Sequence, residues 1–407
     1  MSAKRKTVVG VIFGGRSVEH DVSIVTGHQI MRAFDPEEYE VVPVYIDRDG
    51  KWFTGEPLLN IKNYTNEIVS YKGVISVVLS PTVRHHGLIL NPLSGRLSKS
   101  EIQRLDVLFP AIHGSHGEDG TLQGLFELAD IPYVGCGVLA SAICNDKIVA
   151  KTVLRQHHIP VVDEIWFTRT EWLDNPDALM SRITKTLSFP MFVKPATLGS
   201  SIGVARVSDD LLLRASIDVA TNFDRRILVE AAVTGGIEIN CSVLGYGENM
   251  QASVLEQPVS WEEFLTYEEK YLRGSEGMKS AERIIPAPIA DDLAEKIKQY
   301  AIDGFRAVDG RGIARIDFLV KPDTREVYLN EINTLPGSLS FYLWEPTGIS
   351  QRELVHRLVE LARDVYADKR GNTYNYQTNL VALTAMRGLK GVKGSKLGQP
   401  TQIKQSK

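Results

Sequence analysis

Two spacings of apolar residues divide this chain. TVVGVIF (Thr7 to Phe13) and VVPVYI (Val41 to Ile46) are β-rich runs, and VTGHQIMRAF between them has helical spacing. Strand, helix, strand predicts a parallel unit. LDVLFPAIHG (Leu105 to Gly114) reads as a further buried strand running into a glycine loop. The first third is therefore expected to be a doubly wound α/β domain that meets ligands at the carboxyl ends of its strands. From Asp146 to about Asp163 a helical stretch, KIVAKTVLRQHH, leads to a strand start at Pro160. FPMFVKPATLGSSIGVARV (Phe189 to Val207) then predicts strand, glycine-serine turn and strand, and RRILVEAAV (Arg225 to Val233) predicts one more. RIDFLVKPDTREVYLNEINTLPG (Arg315 to Gly337) predicts two strands joined by a polar turn. Antiparallel pairing replaces the βα alternation, so the class is α/β followed by α+β. Boundaries are placed near Gly135 and Glu230, giving domains 1–135, 136–229 and 230–370 before a basic tail at 384–407.

Composition narrows the partners. With 407 residues, 43% hydrophobic and 24% charged, the chain has the make-up of a globular protein of two or three domains. A formal charge of -4 provides no overall attraction to nucleic acid or anionic membrane, and no stretch is long enough to span a bilayer. Neither nucleic acid nor membrane insertion is expected. Cys136, Cys144 and Cys241 form no CxxC pair and are odd in number, which fits a reducing cytoplasm better than a disulfide framework. The opening MSAKRKTVVGVIFGG reads as a first buried strand rather than a signal peptide. The tail TAMRGLKGVKGSKLGQPTQIKQSK reads as a solvated segment outside any core.

The chemistry concentrates in five places. In the Arg315–Gly337 hairpin, alternation puts Arg315 and Asp317 on one face, and Glu331 and Asn333 on one face of the returning strand. Two carboxylates and an amide with no His or Cys suit Mg²⁺ or Mn²⁺, although a solvated charged hairpin has the same spelling. FVKPATLGSSIGV sets Lys194 at a strand end before Gly199, Ser200, Ser201 and Gly203, which is either a phosphate cradle or a plain hairpin turn. Neither a Walker A loop nor GxGxxG is present. Lys147 opens a helix behind Asn145 and Asp146, where amides also attract anions. Glu230 and Glu238 flank a glycine pair and could hold an adenine amino group and ribose hydroxyls. GGRSVEHDVS (Gly14 to Ser23) and HGSHGEDGTLQG (His113 to Gly124) follow strands; Glu19 could accept from a substrate ammonium. His113 and His116 have no third ligand and are not read as a metal site.

Taken in order, GGRSVEHDVS, HGSHGEDGTLQG, NDK at Lys147, FVKPATLGSSIGV, EEKY before Leu272, RIDF and NEINTLPG closely resemble the D-alanine–D-alanine ligase family of the ATP-grasp superfamily. The resemblance spans roughly residues 7 to 365. It implies an ATP-grasp fold behind an N-terminal α/β domain, a cytoplasmic homodimer, and ATP-dependent joining of two D-alanines for peptidoglycan through an acyl phosphate. Carried over, it makes Lys147 and Lys194 phosphate contacts, with Gly199, Ser200 and Ser201 in the loop over the γ-phosphate. Glu230, Glu238 and the backbone at Ala232 or Val233 become the adenosine contacts, and Asp317, Glu331 and Asn333 the ligands of Mg²⁺ or Mn²⁺. Glu19, Ser200 and Tyr271 match a hydrogen-bonded trio, Lys270 and Arg315 the cations at the reacting carboxyl, and Gly337 a backbone donor to it. His113 joins the substrate-binding set. The stretch from Trp261 to Pro286 reads as a lid.

Three departures stand out. After NEINTLPG the family continues to a serine whose hydroxyl binds the acceptor carboxylate; here SLSFYLWEPTG has Tyr342 near that position and one residue more before Pro346. Ser340 and Tyr342 are both candidate replacements. The Glu230–Glu238 segment is one residue longer, and the basic tail has no counterpart. Two alternatives therefore accompany the D-alanine reading: a ligase with another second substrate, such as D-lactate, D-serine or a different amino acid, and a non-catalytic ATP-binding relative.

Overall fold

A computed structural model describes residues 5–91, 101–199, 202–259, 283–374 and 378–387. The first sheet contains β1 (Thr7–Gly14), β2 (Tyr39–Ile46), β3 (Trp52–Thr54), β4 (Ile75–Leu79), β5 (Gly87–Leu90), β6 (Glu101–Arg104) and β7 (Val107–Ala111), in the order β6-β5-β4-β3-β2-β1-β7. β1 runs parallel to both β2 and β7. Its unbroken apolar run follows from this central place: Val9, Val11, Ile12 and Phe13 are inaccessible to solvent. Helix His20–Ala33 makes the expected crossover between β1 and β2. The parallel arrangement stops there. β3 to β6 form an antiparallel meander, so the doubly wound expectation describes only part of the sheet. Those strands are short and half-exposed, which deprived them of a clear apolar signal.

The second sheet, β8 (Glu164–Thr168), β9 (Met191–Pro195), β10 (Ala205–Val207) and β11 (Arg226–Ala231), is antiparallel in the order β10-β9-β11-β8. Val193, Ile227 and Val229 from its strands share a core with Ile183 of helix Pro176–Thr186 and Ile217 of helix Asp210–Phe223. The third sheet comprises β12 (Ile237–Tyr246), β13 (Asn249–Pro258), β14 (Arg283–Ile284), β15 (Gly312–Lys321) and β16 (Glu326–Asn333), in the order β14-β13-β12-β15-β16. Helix Asp291–Ala307 buries Leu293, Ile297, Ala301 and Phe305, every fourth residue, against this sheet's apolar face. Its opposite face is left for polar side chains.

All three sheets lie in one unit, Met1–Val365, and Tyr366–Lys407 forms another. The second sheet continues through Glu230 to Ala231 and the third begins at Ile237, slightly beyond the expected boundary. In the second unit, helix Leu380–Arg387 takes in the first four residues of the expected tail; the remainder lies outside the described residues. No helix among the described residues is long and apolar enough to cross a membrane.

Candidate active site

The β15–β16 hairpin assembles as alternation requires. Arg315 stands opposite Asn333 and Asp317 opposite Glu331, while the intervening Ile316 and Phe318 point into the core. Register extends the polar row across the sheet: Asp317 faces Asn240 on β12, and Asn240 faces Glu256 on β13. Arg315 donates from Nε and Nη2 to the two oxygens of Asp317, each at 2.7 Å, and Asn333 Nδ2 donates to Asp317 Oδ2 at 2.9 Å. Burial drives the Asp317 carboxyl up to about 7, against the pull of Arg315 and with the push of Glu331 and Glu238. A buried carboxylate, Asp317, beside a half-buried one of like charge, Glu331, favours a cation. Among the described residues no three His, Cys, Asp or Glu side chains cluster as a metal site.

Two loops of the first sheet lie beside that hairpin. Ser23 joins them: its Oγ donates to Glu19 O at 2.9 Å and accepts from the His113 amide at 2.9 Å. Thr26 Oγ1 lies 2.8 Å from His113 Nε2. A side chain at Gly114, whose φ is +74°, would come within 2.6 Å of Glu19 Oε2, so this glycine provides the space for the glutamate. The same carboxylate lies 4.0 Å from where a Cβ on Gly199 would stand. Burial pushes the His113 ring down; Glu19 opposes this and Arg315 adds to it. Glu118, which sequence reasoning passed over, accepts from the Gly114 amide at 2.6 Å. Its burial, reinforced by Glu19, pushes its carboxyl up to about 8.

On the other side stand the lysines. Asp146 caps helix Lys147–Gln156 by accepting from the Ile148 and Val149 amides, each at 3.1 Å, which fixes Lys147 at the first helical position. Lys147 Nζ donates to Leu198 O at 2.6 Å in the glycine loop; burial pushes its ammonium down, against Glu331. Lys194 Nζ pairs with Glu230 Oε2 at 2.6 Å and lies 3.5 Å from Asn330 Oδ1 of the hairpin. The other oxygen of Glu230 is taken by Lys151, whose Nζ also lies 3.4 Å from Glu164 Oε2. Burial opposes charge on Glu230, yet Lys151 and Lys194 together outweigh it and bring the carboxyl down to about 2. Lys151 has no solvent exposure at all. Its signal was available: a lysine in step with Ile148 and Leu154 on the apolar face of a helix is in a core position.

Two family models match the chain, the D-ala D-ala ligase N-terminus over residues 8–136 and the D-ala D-ala ligase C-terminus over residues 153–360. The chain belongs to the D-alanine–D-alanine ligase family. It is 37% identical over 375 residues to the D-alanine–D-alanine ligase of Thermosipho africanus, covering 92% of this chain and 98% of the relative. To that of Acetivibrio thermocellus it is 39% identical over 373 residues, covering 89% and 97%. Among solved structures, the VanG D-Ala:D-Ser ligase from Enterococcus faecalis superposes with a TM-score of 0.76 at 30% identity, covering 88% of this chain and all (100%) of that one. The D-alanine-D-alanine ligase from Coxiella burnetii gives 0.74 at 28% identity, covering 94% and 99%.

In this ligase-family chain the segment after the hairpin takes an unusual path. Ser338, Leu339 and Ser340 have φ of 50°, 48° and 51°, three left-handed non-glycine residues in succession. Leu339, Leu343 and Trp344, all fully buried, hold the turn in place. Gly337 faces open space, with nothing within 4 Å of a Cβ placed there. Ser340 Oγ is buried without a hydrogen-bond partner among the described residues, and Tyr342 donates its hydroxyl proton to Glu256 Oε1 at 2.6 Å. Glu238 and Val233 lie at the start of β12 and just before it. Ser200, Ser201, Lys270, Tyr271 and most of the expected lid are outside the described residues.

Proposed function

We propose that this ATP-grasp enzyme joins two D-alanines into D-alanyl-D-alanine for cell-wall synthesis, with ATP driving the reaction. The observation that carries the reading is one polar hairpin face, Arg315, Asp317, Glu331 and Asn333, with Lys147 and Lys194 on one flank and Glu19 and His113 on the other. A carboxylate is a poor acceptor for an amine. The γ-phosphoryl of ATP is therefore transferred to the carboxylate of the first D-alanine, ADP departs, and the amine of the second attacks the acyl phosphate with loss of inorganic phosphate. Lys147 and Lys194 offset charge on the phosphates, and Arg315 offsets the oxyanion that forms at the attacked carbon. Glu19 accepts from the first substrate's ammonium, the His113 amide is tied to the Glu19 carbonyl through Ser23, and the Gly337 amide donates to the reacting carboxyl. Gly199, Ser200 and Ser201 cover the γ-phosphate, and Lys270 and Tyr271 close the substrate side.

Asp317, Glu331 and Asn333 would hold Mg²⁺ or Mn²⁺; their hard oxygens and the elevated Asp317 carboxyl fit such an ion. When bound, it supplies positive charge to the phosphoryl oxygens. Glu238 faces the adenosine, whereas the Glu230 carboxylate, taken up by Lys151 and Lys194, acts by holding Lys194 in place. Ala232 already donates its amide to Pro190 O at 3.1 Å, which favours Val233 as the backbone contact to adenine. The enzyme works as a homodimer in the cytoplasm, a compartment that suits three unpaired cysteines.

The test is incubation of the protein with ATP, Mg²⁺ and D-alanine, following dipeptide and phosphate. Absence of both over a broad pH range refutes the reading. The altered segment at Ser340 and Tyr342, together with likeness to a ligase named for D-Ser, favours a second reading in which the acceptor is another small amino or hydroxy acid. A panel of D-alanine, D-serine and D-lactate separates the two.

A further inference from the structure

The segment after Gly337 leaves the acceptor carboxylate without the serine hydroxyl that the family resemblance supplies, and neither hydroxyl near that place is available to it. Tyr342 spends its proton on Glu256, and Ser340 Oγ is enclosed at 0% exposure. What stands there is a cation. The Arg283 guanidinium lies over the Tyr342 ring at 4.1 Å, and its Nη1 donates to Glu256 Oε2 at 3.2 Å. Glu256 is itself held by Asn240 Nδ2 at 3.1 Å and is buried at 2% exposure. One face and one edge of the guanidinium are thus fixed. A guanidinium has five donors in a rigid plane, so its other edge can present a fork to a carboxylate. The Arg283 side chain is 33% exposed, enough to be met by a ligand.

We propose that Arg283 is the specificity-determining residue that pairs with the carboxylate of the acceptor amino acid, with the Tyr342 ring and Glu256 as its positioning residues. The inference rests on the ligase reading above. The register supports it: Arg283 reaches Glu256 at one end of the row Glu256, Asn240, Asp317, Glu331, and the hairpin's reacting end is at the other. β14, which carries Arg283, and β15, which carries Arg315, lie three strand spacings apart, roughly 14 Å. Side chains reaching inward from both leave an interval that an α-amino acid can bridge, its amine toward Arg315 and its carboxylate toward Arg283.

The experiment gives the full chain ATP, Mg²⁺ and an equimolar mixture of D-alanine and D-alaninamide, and reads the ratio of dipeptide to dipeptide amide by mass spectrometry. D-alaninamide keeps the amine and lacks the carboxylate, so it can act only as acceptor. The unmodified protein is expected to favour D-alanine. R283Q should raise the KM for acceptor D-alanine about tenfold or more, leave the KM for ATP unchanged and collapse the preference over the amide. R283K should restore part of it. Y342F keeps the ring and should retain most of the preference, whereas Y342A should lose it. R283Q with the preference intact overturns the inference, as does R283Q with both a lowered melting temperature and a raised ATP KM, which marks Arg283 as a structural ion pair. If the unmodified protein makes no dipeptide, it is the ligase reading that fails.

Discussion

Replacing Lys151 by Met removes the central cation of a buried network while keeping side-chain volume. Lys151 is at 0% exposure between Glu230 at 2% and a Glu164 side chain at 4%. Holding the Glu230 carboxyl at about 2 rather than its ordinary 4.5 corresponds to about 3 kcal/mol in favour of the folded state. An independent figure agrees: breaking a buried ion pair costs about 3–5 kcal/mol, and the low end applies because partners remain. Glu230 keeps Lys194, and Glu164 keeps Arg155 at 2.6 Å. The sign follows from the depressed carboxyl. This stabilisation is complete above about pH 4.5 and is lost as pH falls toward 2. K151M should therefore be about 3 kcal/mol less stable at neutral pH, a melting temperature lower by about 3–4 °C for a chain of this size. The gap should narrow as pH falls through about 4, where protonation of the unfolded state reduces what Lys151 contributes. The double variant K151M/E164Q removes one charge of each sign and should recover part of the loss. ATP KM should rise in K151M, because Glu230 then has Lys194 as its remaining cation. Melting curves at several pH values and initial rates provide the assay. A K151M protein that melts within about 1 °C of the unmodified one at neutral pH would refute the argument, since two buried carboxylates that lose their shared cation cannot be that cheap.

Glu331→Gln keeps shape but removes one charge facing Asp317; turnover with Mg²⁺ should fall about a hundredfold or more, and unchanged turnover would show that this carboxylate holds no metal. Gly114→Ala places a Cβ 2.6 Å from both Glu19 Oε2 and Ser17 Oγ at a φ of +74°; it should cost about 1–3 kcal/mol and raise the KM for D-alanine, measured by melting and initial rates. Burial pushes the Cys136 thiol up to about 11, Cys241 up to about 12 and Cys144 well above its ordinary value. Cys136 and Cys241, both buried, should react with a thiol reagent near neutral pH only after denaturation, and fast labelling of either in the folded protein would contradict that burial.

Some of this protein was legible in one dimension because its determinants are local. The alternation that put Arg315 with Asp317 is a property of an extended backbone, and the cap of Asp146 before Lys147 needs only three consecutive amides. β1 likewise follows from its own apolar run, buried at the centre of its sheet. The ordered motifs carried the family. What the tertiary structure decided lies at long separations. Glu230 was read as a solvated or adenosine-facing carboxylate, and its second partner, Lys151, is 79 residues away. Tyr342 was a candidate hydroxyl for the acceptor until Glu256, 86 residues distant, was found to take its proton. Glu118 became notable only when folding set it beside Glu19. The antiparallel meander of β3 to β6 escaped for a related reason: short, half-exposed strands are defined by their neighbours rather than by their own pattern. Periodicity specifies which face a residue is on. Whether that face meets water, a counter-charge or another sheet depends on packing between segments far apart in the chain, and so does the ionisation of every buried group in this site.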